Sequence, residues 1–193
     1  PADRPEIAFA GRSNVGKSSL ISTLVHRKSL VKTSSTPGKT RAINFFCINQ
    51  RFLMVDLPGY GYARVPEEVQ ASWRPMVEAY LRQRETLRGV VHIVDVRHPP
   101  TVQDIQLRQW LLHHRRPLIT VATKADKLKT SQHTAHLEAV RHHLALPEHE
   151  PLVLFSAHNH EGRLLLWKHL ASWLTPVKPA PGSTPRAAAV SPP

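Results

Sequence analysis

The residues best suited to chemistry stand near the amino terminus and read Gly11-Arg12-Ser13-Asn14-Val15-Gly16-Lys17-Ser18. This is the complete pattern G-x-x-x-x-G-K-[ST] of a phosphate-binding loop. Glycine at both ends lets the backbone turn tightly, so that its N–H groups surround phosphate oxygens. Lys17 would then reach the β- and γ-phosphates, and the Ser18 hydroxyl would ligate Mg²⁺. The pattern predicts a site for a nucleoside triphosphate and magnesium.

The elements on either side fit this loop. Residues 7–10 are short and apolar enough for a buried strand, and residues 19–25 have the apolar periodicity of a helix. The strand-like residues 52–56 end in Asp56-Leu57-Pro58-Gly59. At the end of a strand, Asp56 is placed to hold magnesium through a water, and the Gly59 N–H to approach a γ-phosphate.

A further strand, residues 118–123, ends in Thr123-Lys124-Ala125-Asp126, which resembles the [NT]-K-x-D motif that reads guanine. An aspartate accepts hydrogen bonds from the N1–H and the amine of guanine, whereas adenine offers neither donor. The aliphatic stem of Lys124 would lie along the base. The alternative is a solvated charged turn. Ser156-Ala157, after the strand-like residues 152–155, resembles the fifth motif of GTPases, but such a dipeptide has no weight alone.

Together with Thr36-Pro37-Gly38-Lys39-Thr40, these motifs follow one another in GTPase order. Residues 5–175 resemble the EngB (YihA/YsxC) family of bacterial GTP-binding proteins, which belongs to the TrmE-Era-EngA-EngB-septin-like GTPases. The resemblance implies a Ras-like GTPase that acts in assembly of the large (50S) ribosomal subunit and is needed for cell division and septation. It also implies GTP or GDP as ligand, Mg²⁺ as cofactor, and rRNA and ribosomal proteins as partners.

The resemblance assigns roles to individual residues. Its magnesium ligands map to Ser18 and Thr40, beside Asp56. Its phosphate contacts are Gly11, Arg12, Ser13, Asn14, Val15, Gly16, Lys17 and Ser18, then Gly38, Lys39, Thr40, Arg41 and Ala42, then Asp56, Leu57, Pro58 and Gly59. Its base contacts are Thr123, Lys124, Ala125, Asp126, Phe155, Ser156 and Ala157. For catalysis we select Lys17, Asn14, Thr40 and Gly59.

Hydrolysis is expected to be slow. Many GTPases place a glutamine after the glycine of D-x-x-G to orient the attacking water, and here that position is Tyr60. Asn14 suggests a potassium ion beside the phosphates, as in GTPases with asparagine there; the alternative is that Asn14 only tolerates the loop conformation. Tyr60, Tyr62 and Arg64 either face a partner or pack beneath the following helix.

The remaining pattern predicts an α/β domain of the Ras-like P-loop type. Strands are expected at residues 42–48, 52–56, 90–95, 118–123 and 152–155, the first two as a hairpin. Helices are expected at residues 67–88, kinked or restarted at Pro75, and at 101–115, 131–146 and 161–174, with a Thr101/Asp104 capping box. Apolar strands that alternate with helices indicate a mainly parallel sheet with one antiparallel edge strand and helices on both faces. Residues 1–175 would form this domain, and the proline-rich residues 176–193 a disordered tail.

Composition limits the partners. The 193 residues carry a formal net charge of +12, which suits a polyanion such as rRNA, or else only a solvated basic surface. Cys47 is the one cysteine and is expected to be buried and inert, in a reducing cytoplasm. No membrane span or signal peptide is expected, the paired histidines have poor geometry for zinc, and we expect a monomer. The chain does not begin with methionine, and we expect that native residues precede it.

Three classes of function remain open at this stage. The first is a GTP switch on the assembling ribosome. The second is an ATP-using P-loop enzyme such as a kinase, against which Asp126 argues. The third is a GTP switch whose main partner is a protein of the septum or the membrane.

Overall fold

Strands and helices alternate along the chain, as the apolar runs predict. The computed structural model describes residues 4–25, 43–60 and 67–175, and of residues 67–74 only the backbone. The strands in this part of the chain are β1 (Glu6–Gly11), β2 (Asn44–Ile48), β3 (Phe52–Asp56), β4 (Leu87–Asp95), β5 (Leu118–Thr123) and β6 (Leu152–Leu154). The α-helices are α1 (Lys17–Val25), α2 (Glu67–Gln83), α3 (Val102–His113), α4 (His133–His143) and α5 (Arg163–Leu174).

The strands form one sheet in the order β2-β3-β1-β4-β5-β6. β1 pairs in parallel with β3 on one side and β4 on the other, with Ile7 opposite Met54 and Phe9 opposite Val91. β2 pairs with β3 in antiparallel fashion at the edge of the sheet. The predicted α/β architecture with one antiparallel edge strand is therefore confirmed. The chain leaves β1 where the strand order changes direction, which is where open α/β sheets bind ligands.

Side chains of β1 alternate between the two faces of the sheet. Ile7 and Phe9 pack in one apolar core with residues of α1 and α5, and Ala8 and Ala10 pack in a second core with Leu81 of α2 and Leu111 of α3. The first core contains Leu20, Ile21, Leu24, Leu166 and Leu170, all of which are buried. Each such side chain stabilises the fold by about 1.5–3 kcal/mol. Both faces of β1 are thus covered, which holds the loop that follows it rigidly in place.

The start of α3 is as predicted. Thr101 caps the helix, its side chain accepts from the backbone N–H of Asp104, and the Asp104 carboxylate accepts in return from the Thr101 N–H at 2.7 Å. This reciprocal pair is worth about 1 kcal/mol. It also fixes the position of the buried Asp104 side chain.

The helices predicted at residues 67–88, 101–115, 131–146 and 161–174 are all shorter in the structure, where α3 spans Val102–His113 and α5 begins at Arg163. α2 ends at Gln83 and not at residue 88, because Leu87 begins β4. Pro75 does not restart this helix, which runs through it without a break. Since Pro75 is exposed, water can bond the carbonyl that loses its partner. α4 spans fewer residues than predicted, because a single 3-10 turn at Thr130–Gln132 precedes it and Leu144 forms its C-cap.

The prediction that Cys47 is buried is wrong. The residue is exposed, since β2 is an edge strand whose side chains are covered on one side at most. An Arg4 guanidinium nitrogen lies 2.9 Å from its sulfur. The apolar neighbours Phe46 and Ile48, which are half-buried, carry the contacts of this strand with the core.

Candidate nucleotide-binding site

The loop between β1 and α1 has the backbone conformation that a phosphate cradle needs. Asn14 and Gly16 adopt positive φ angles of 61° and 100°. Asparagine is among the few side chains that tolerate this region, and at 100° only glycine adopts it without strain. Gly16 leads directly into α1, whose first residue is Lys17, so the loop lies at a helix N-terminus that attracts anions.

Lys17 and Asp56 meet at the carboxyl ends of β1 and β3. Both are buried, and the Lys17 ammonium group forms an ion pair with the Asp56 carboxylate. Ser18, the next residue of the loop, is half-buried beside them. A hydroxyl and a carboxylate are the oxygen donors that Mg²⁺ prefers, so these residues fit the predicted magnesium site.

The segment after β3 lies directly against the phosphate loop. The Ser13 N–H donates to the Tyr60 carbonyl at 3.0 Å, and a β-carbon added at Gly59 would lie 3.0 Å from both the N and the Cα of Ser13. Any side chain at Gly59 would therefore push the two segments apart. Of the four residues in this segment, Asp56, Leu57 and Pro58 are buried and Gly59 is half-buried.

The Tyr60 side chain reaches α3 and β4, contacts that neither predicted placement includes. Its hydroxyl donates to Asp104 Oδ1 at 2.9 Å and lies 3.4 Å from Nε2 of His92, a fully buried residue of β4. Burial, together with the Asp104 charge and hydrogen bond, raises the pKa of the Tyr60 phenol well above its ordinary value. Burial lowers the pKa of His92 to about 4, against the opposing effect of Asp104, so this imidazole is neutral. Tyr60 thus joins the phosphate loop to α3.

Thr123 and Lys124 join the second motif to the phosphate loop. The Thr123 hydroxyl is buried, 2.6 Å from the Val15 carbonyl and 3.0 Å from the Val94 carbonyl, so that its proton is shared between backbone oxygens. Lys124, at φ 66°, donates from Nζ to the Asn14 carbonyl at 2.7 Å. Lys124 also lies along Gly16, where an added β-carbon would be 3.9 Å from its Cε.

Asp95 holds Lys124 in place and is a residue that the sequence analysis missed. Its carboxylate accepts from Lys124 Nζ at 2.8 Å and from the Arg97 guanidinium at 2.9 and 2.7 Å. Burial raises the pKa of Asp95, but the Arg97 and Lys124 hydrogen bonds outweigh it and lower the pKa to about 2. The available signal was its position at the carboxyl end of β4, next to the other site strands.

Asp126 is oriented by the segment after β6. Ser156 Oγ donates to Asp126 Oδ1 at 2.8 Å and itself accepts from the His158 N–H at 3.1 Å. Partial burial acts to raise the Asp126 pKa, but the hydrogen bonds from Ser156 and Lys127 outweigh it and leave the pKa below its ordinary value. The aspartate is therefore ionised and points one oxygen at a fixed donor.

The structure brings most of the predicted residues together. The loop at 11–18, the segment 56–59, the turn 123–126 and the segment 155–157 meet at the carboxyl ends of β1, β3, β5 and β6. Phe155 contributes its carbonyl, which accepts from the Ala125 N–H at 3.1 Å, while its side chain is buried in the core. Gly38, Lys39, Thr40, Arg41, Ala42, Tyr62 and Arg64 lie outside the described residues.

The chain is similar to known GTP-binding proteins. A family model described as "50S ribosome-binding GTPase" matches residues 6–124. A probable GTP-binding protein EngB of Pelotomaculum thermopropionicum is 54% identical over 88% of this chain and 86% of its own length. That of Syntrophomonas wolfei is 58% identical over 82% of this chain and 81% of its own.

The chain belongs to the EngB family. It is a GTP-binding P-loop GTPase, as the sequence motifs predict. A crystal structure of a probable EngB protein superimposes with a TM-score of 0.73 at 26% identity, covering 88% of this chain and 98% of the other. The Era protein of Aquifex aeolicus superimposes with a TM-score of 0.71 at 21% identity, over 90% of this chain and 57% of the other, which is a likeness of fold.

Two kinds of feature are absent from the described part of the chain. None of the helices in the described part of the chain is long and apolar enough to cross a bilayer. The described residues also contain no group of three or more histidine, cysteine or acidic side chains placed to hold a metal ion.

Proposed function

We propose that this EngB-family GTPase acts as a GTP-driven switch in assembly of the large (50S) ribosomal subunit in the bacterial cytoplasm, and that normal cell division and septation depend on it. The description of the matching family model, "50S ribosome-binding GTPase", supports the large ribosomal subunit as the partner. The formal net charge of +12 supports rRNA as part of the surface bound.

The observation that carries the nucleotide part of the proposal is the Lys124 bridge. Its Nζ bonds the Asn14 carbonyl in the phosphate loop, while the next residue but one, Asp126, is fixed by Ser156. The residues that would hold the base at Asp126 and those that would hold the phosphates in the loop are therefore linked to one another through Lys124. An adenine base offers Asp126 no matching donors, which argues for GTP over ATP.

The residue roles form part of the proposal. Gly11 to Ser18 and Gly59 bind the phosphates, Lys124, Asp126 and Ser156 bind the guanine, and Ser18, Asp56 and Thr40 hold magnesium. Thr123 stabilises the phosphate loop, because its hydroxyl donates to the Val15 carbonyl. We assign residues 1–175 to the G domain and the proline-rich residues 176–193, which lie outside the described residues, to a tail.

The central experiment measures binding of the full chain to purified 50S subunits with GDP, with a non-hydrolysable GTP analogue and without nucleotide. We expect binding with the analogue only, weakening as salt rises because phosphate contacts release counterions. Equal binding in all three conditions would show that the protein is not a nucleotide switch on this particle. Preferential binding to membrane fractions would support a protein of the septum or membrane as partner.

We also propose that a potassium ion beside the phosphates accelerates GTP hydrolysis. Asn14 is exposed, which leaves its side-chain oxygen open to a cation beside the phosphates, while Lys124 donates to its backbone carbonyl. We expect faster GTP hydrolysis in KCl than in NaCl at equal ionic strength, and loss of that difference in Asn14→Ala. Equal rates in the two salts, with and without 50S subunits, would contradict the role of potassium.

A further inference from the structure

We infer that the end of the domain opposite the nucleotide site binds the phosphate backbone of RNA. The surface is formed by Arg82, Arg88, Arg115 and Arg116, here named the arginine pole. This inference rests on the proposed ribosomal function and specifies which face of the domain meets the RNA.

The topology gathers these arginines at one place. β4 and β5 are parallel neighbours, with Val90 opposite Leu118, so Arg88 and Arg116 stand at equivalent positions just before the paired segments. Neighbouring strands lie about 4.8 Å apart. Arg82 belongs to the last turn of α2, and an Arg116 guanidinium nitrogen donates to its carbonyl. Three separate stretches of chain therefore contribute to one basic surface.

The charge of the arginine pole is not neutralised within the described residues. None of its four guanidinium groups forms an ion pair with a carboxylate there, whereas Arg84, which stands between Arg82 and Arg88 in the sequence, is bound to the buried Glu6. Arg82, Arg88 and Arg115 are exposed, and Glu85 is an exposed acidic residue in the same stretch. A concentration of positive charge of this kind attracts polyanions.

Arg115 adopts a left-handed backbone conformation, which is unfavourable for a residue with a side chain. α3 ends in a Schellman motif, in which the Arg116 N–H donates to the Leu111 carbonyl at 3.0 Å and the Arg115 N–H to the Leu112 carbonyl at 2.9 Å. Arg115 occupies the position of this motif that favours glycine, with φ 51°. α4 ends in the same motif with Ala145 at φ 48°, so a residue without charge in the same conformation is available for comparison.

RNA fits this surface better than an acidic protein does. All four cations are arginines, whose planar guanidinium groups bind phosphate oxygens in pairs. Protein interfaces are centred on buried aromatic or aliphatic anchors. Of the five large apolar side chains exposed in the described residues, Leu112 stands three residues before Arg115, and Phe45 lies against the guanidinium of Arg84. The surface therefore offers charge and hydrogen-bond donors with little apolar area.

The test uses Arg115→Gly, with Ala145→Gly as matched control. Both substitutions relieve a left-handed residue at the same point of the same motif, and only the first removes a charge. We expect neither variant to melt below the wild type, so a loss of binding in Arg115→Gly would not reflect unfolding. GTP hydrolysis without ribosomes should be unchanged in both, because the nucleotide site lies at the other end of the sheet.

Binding is measured to protein-free 23S rRNA and to 50S subunits, with the GTP analogue, over a series of KCl concentrations. In Arg115→Gly and in Arg88→Ala, we expect Kd for rRNA to rise about threefold to tenfold, and the slope of log Kd against log salt to fall by about 0.7–0.9, the value for one phosphate contact. Ala145→Gly should match the wild type in both quantities.

Wild-type slopes and affinities in both arginine variants would overturn the inference, and would leave the proposed function standing if the wild type still bound 50S subunits with the analogue. A loss of 50S binding with unchanged rRNA binding would assign the surface to a ribosomal protein and likewise overturn it. The inference would also be overturned if the protein bound phosphatidylglycerol vesicles more tightly than rRNA and lost this binding in Arg115→Gly. The surface would then be assigned to a membrane. If only the arginine-dependent rRNA binding were found and 50S binding were absent in every nucleotide state, the proposed function would fail and the inference would stand.

Discussion

The Tyr60 hydroxyl donates a hydrogen bond to Asp104 at 2.9 Å, across 44 residues of sequence. Tyr60 follows the glycine of D-x-x-G, where many GTPases carry the glutamine that orients water. Its phenol is committed to Asp104 in the capping box of α3, while its carbonyl accepts from the N–H of Ser13 in the phosphate loop. The position has thereby become a structural link between the loop and a helix.

Replacing Tyr60 by phenylalanine tests this link. The free energy of unfolding should fall by about 1–3 kcal/mol, because Asp104 is a buried charged acceptor that loses a donor. Urea unfolding without nucleotide measures this change. GTP hydrolysis should stay within about twofold of the wild type, since the hydroxyl does not serve the attacking water. A tenfold slower reaction at unchanged nucleotide affinity would show that the hydroxyl does act on water.

Replacing Ser156 by alanine tests the orientation of Asp126. The substitution removes the donor to Asp126 Oδ1, and we expect GTP affinity to fall about threefold to tenfold. Asp126→Asn should cost about a hundredfold or more, since it replaces the acceptor of two guanine donors. Lys127→Ala is the control, because its contact with Asp126, at 3.3 Å, comes from an exposed ammonium group and should contribute little. Competition of unlabelled GTP and ATP against a fluorescent guanine nucleotide measures all three.

Asp95 makes the free energy of unfolding depend on pH in the acidic range. Its pKa is lowered from 3.8 to about 2 in the folded state, so its contribution is present above about 4 and is lost as the pH falls towards 2. At pH 7, Asp95→Asn should lower the free energy of unfolding by about 1–2 kcal/mol, after allowance for the partial exposure of its partner Arg97. The difference from the wild type should shrink in urea titrations between pH 4 and pH 3. Glu85→Gln, which removes one acidic charge at an exposed residue, is the control, and a constant difference for Asp95→Asn would contradict the assignment.

Gly89 is required by the packing of α5 on β4. A β-carbon added there would lie 2.6 Å from the Trp173 ring, so the indole must move. We expect Gly89→Ala to cost about 1–3 kcal/mol. In the background Trp173→Leu, which leaves room, the same substitution should cost at least about 1 kcal/mol less, and the double-mutant cycle reports the coupling. Equal costs in both backgrounds would show that Trp173 is not the obstacle.

The strands and the phosphate loop could be predicted because their signals are local. β1, β3 and β5 are covered on both faces and therefore read as nearly continuous apolar runs. The Thr101–Asp104 pair marks the start of α3 within four residues. The loop needs glycine at fixed spacing, and this requirement is visible in the sequence.

What could not be predicted depends on contacts between distant segments. Asp95 gains its role from Lys124, which only the pairing of β4 with β5 brings beside it. Cys47 has apolar neighbours in the sequence, but its exposure follows from the place of β2 at the edge of the sheet. Tyr60 lies beside a predicted partner surface in the sequence, and its actual partners come from β4 and α3.

The central place of β1 also affects how the chain folds during synthesis. Its two neighbours, β3 and β4, begin at Phe52 and Leu87, so a nascent chain that has just released its amino terminus cannot pair this strand on either side. Parallel pairing over such separations is slow, because loop closure precedes any stabilising contact. The phosphate loop precedes both partner strands in the sequence, so we expect it to acquire its shape only after β3 and β4 have been synthesised, and its apolar strand to be open to chaperones until then.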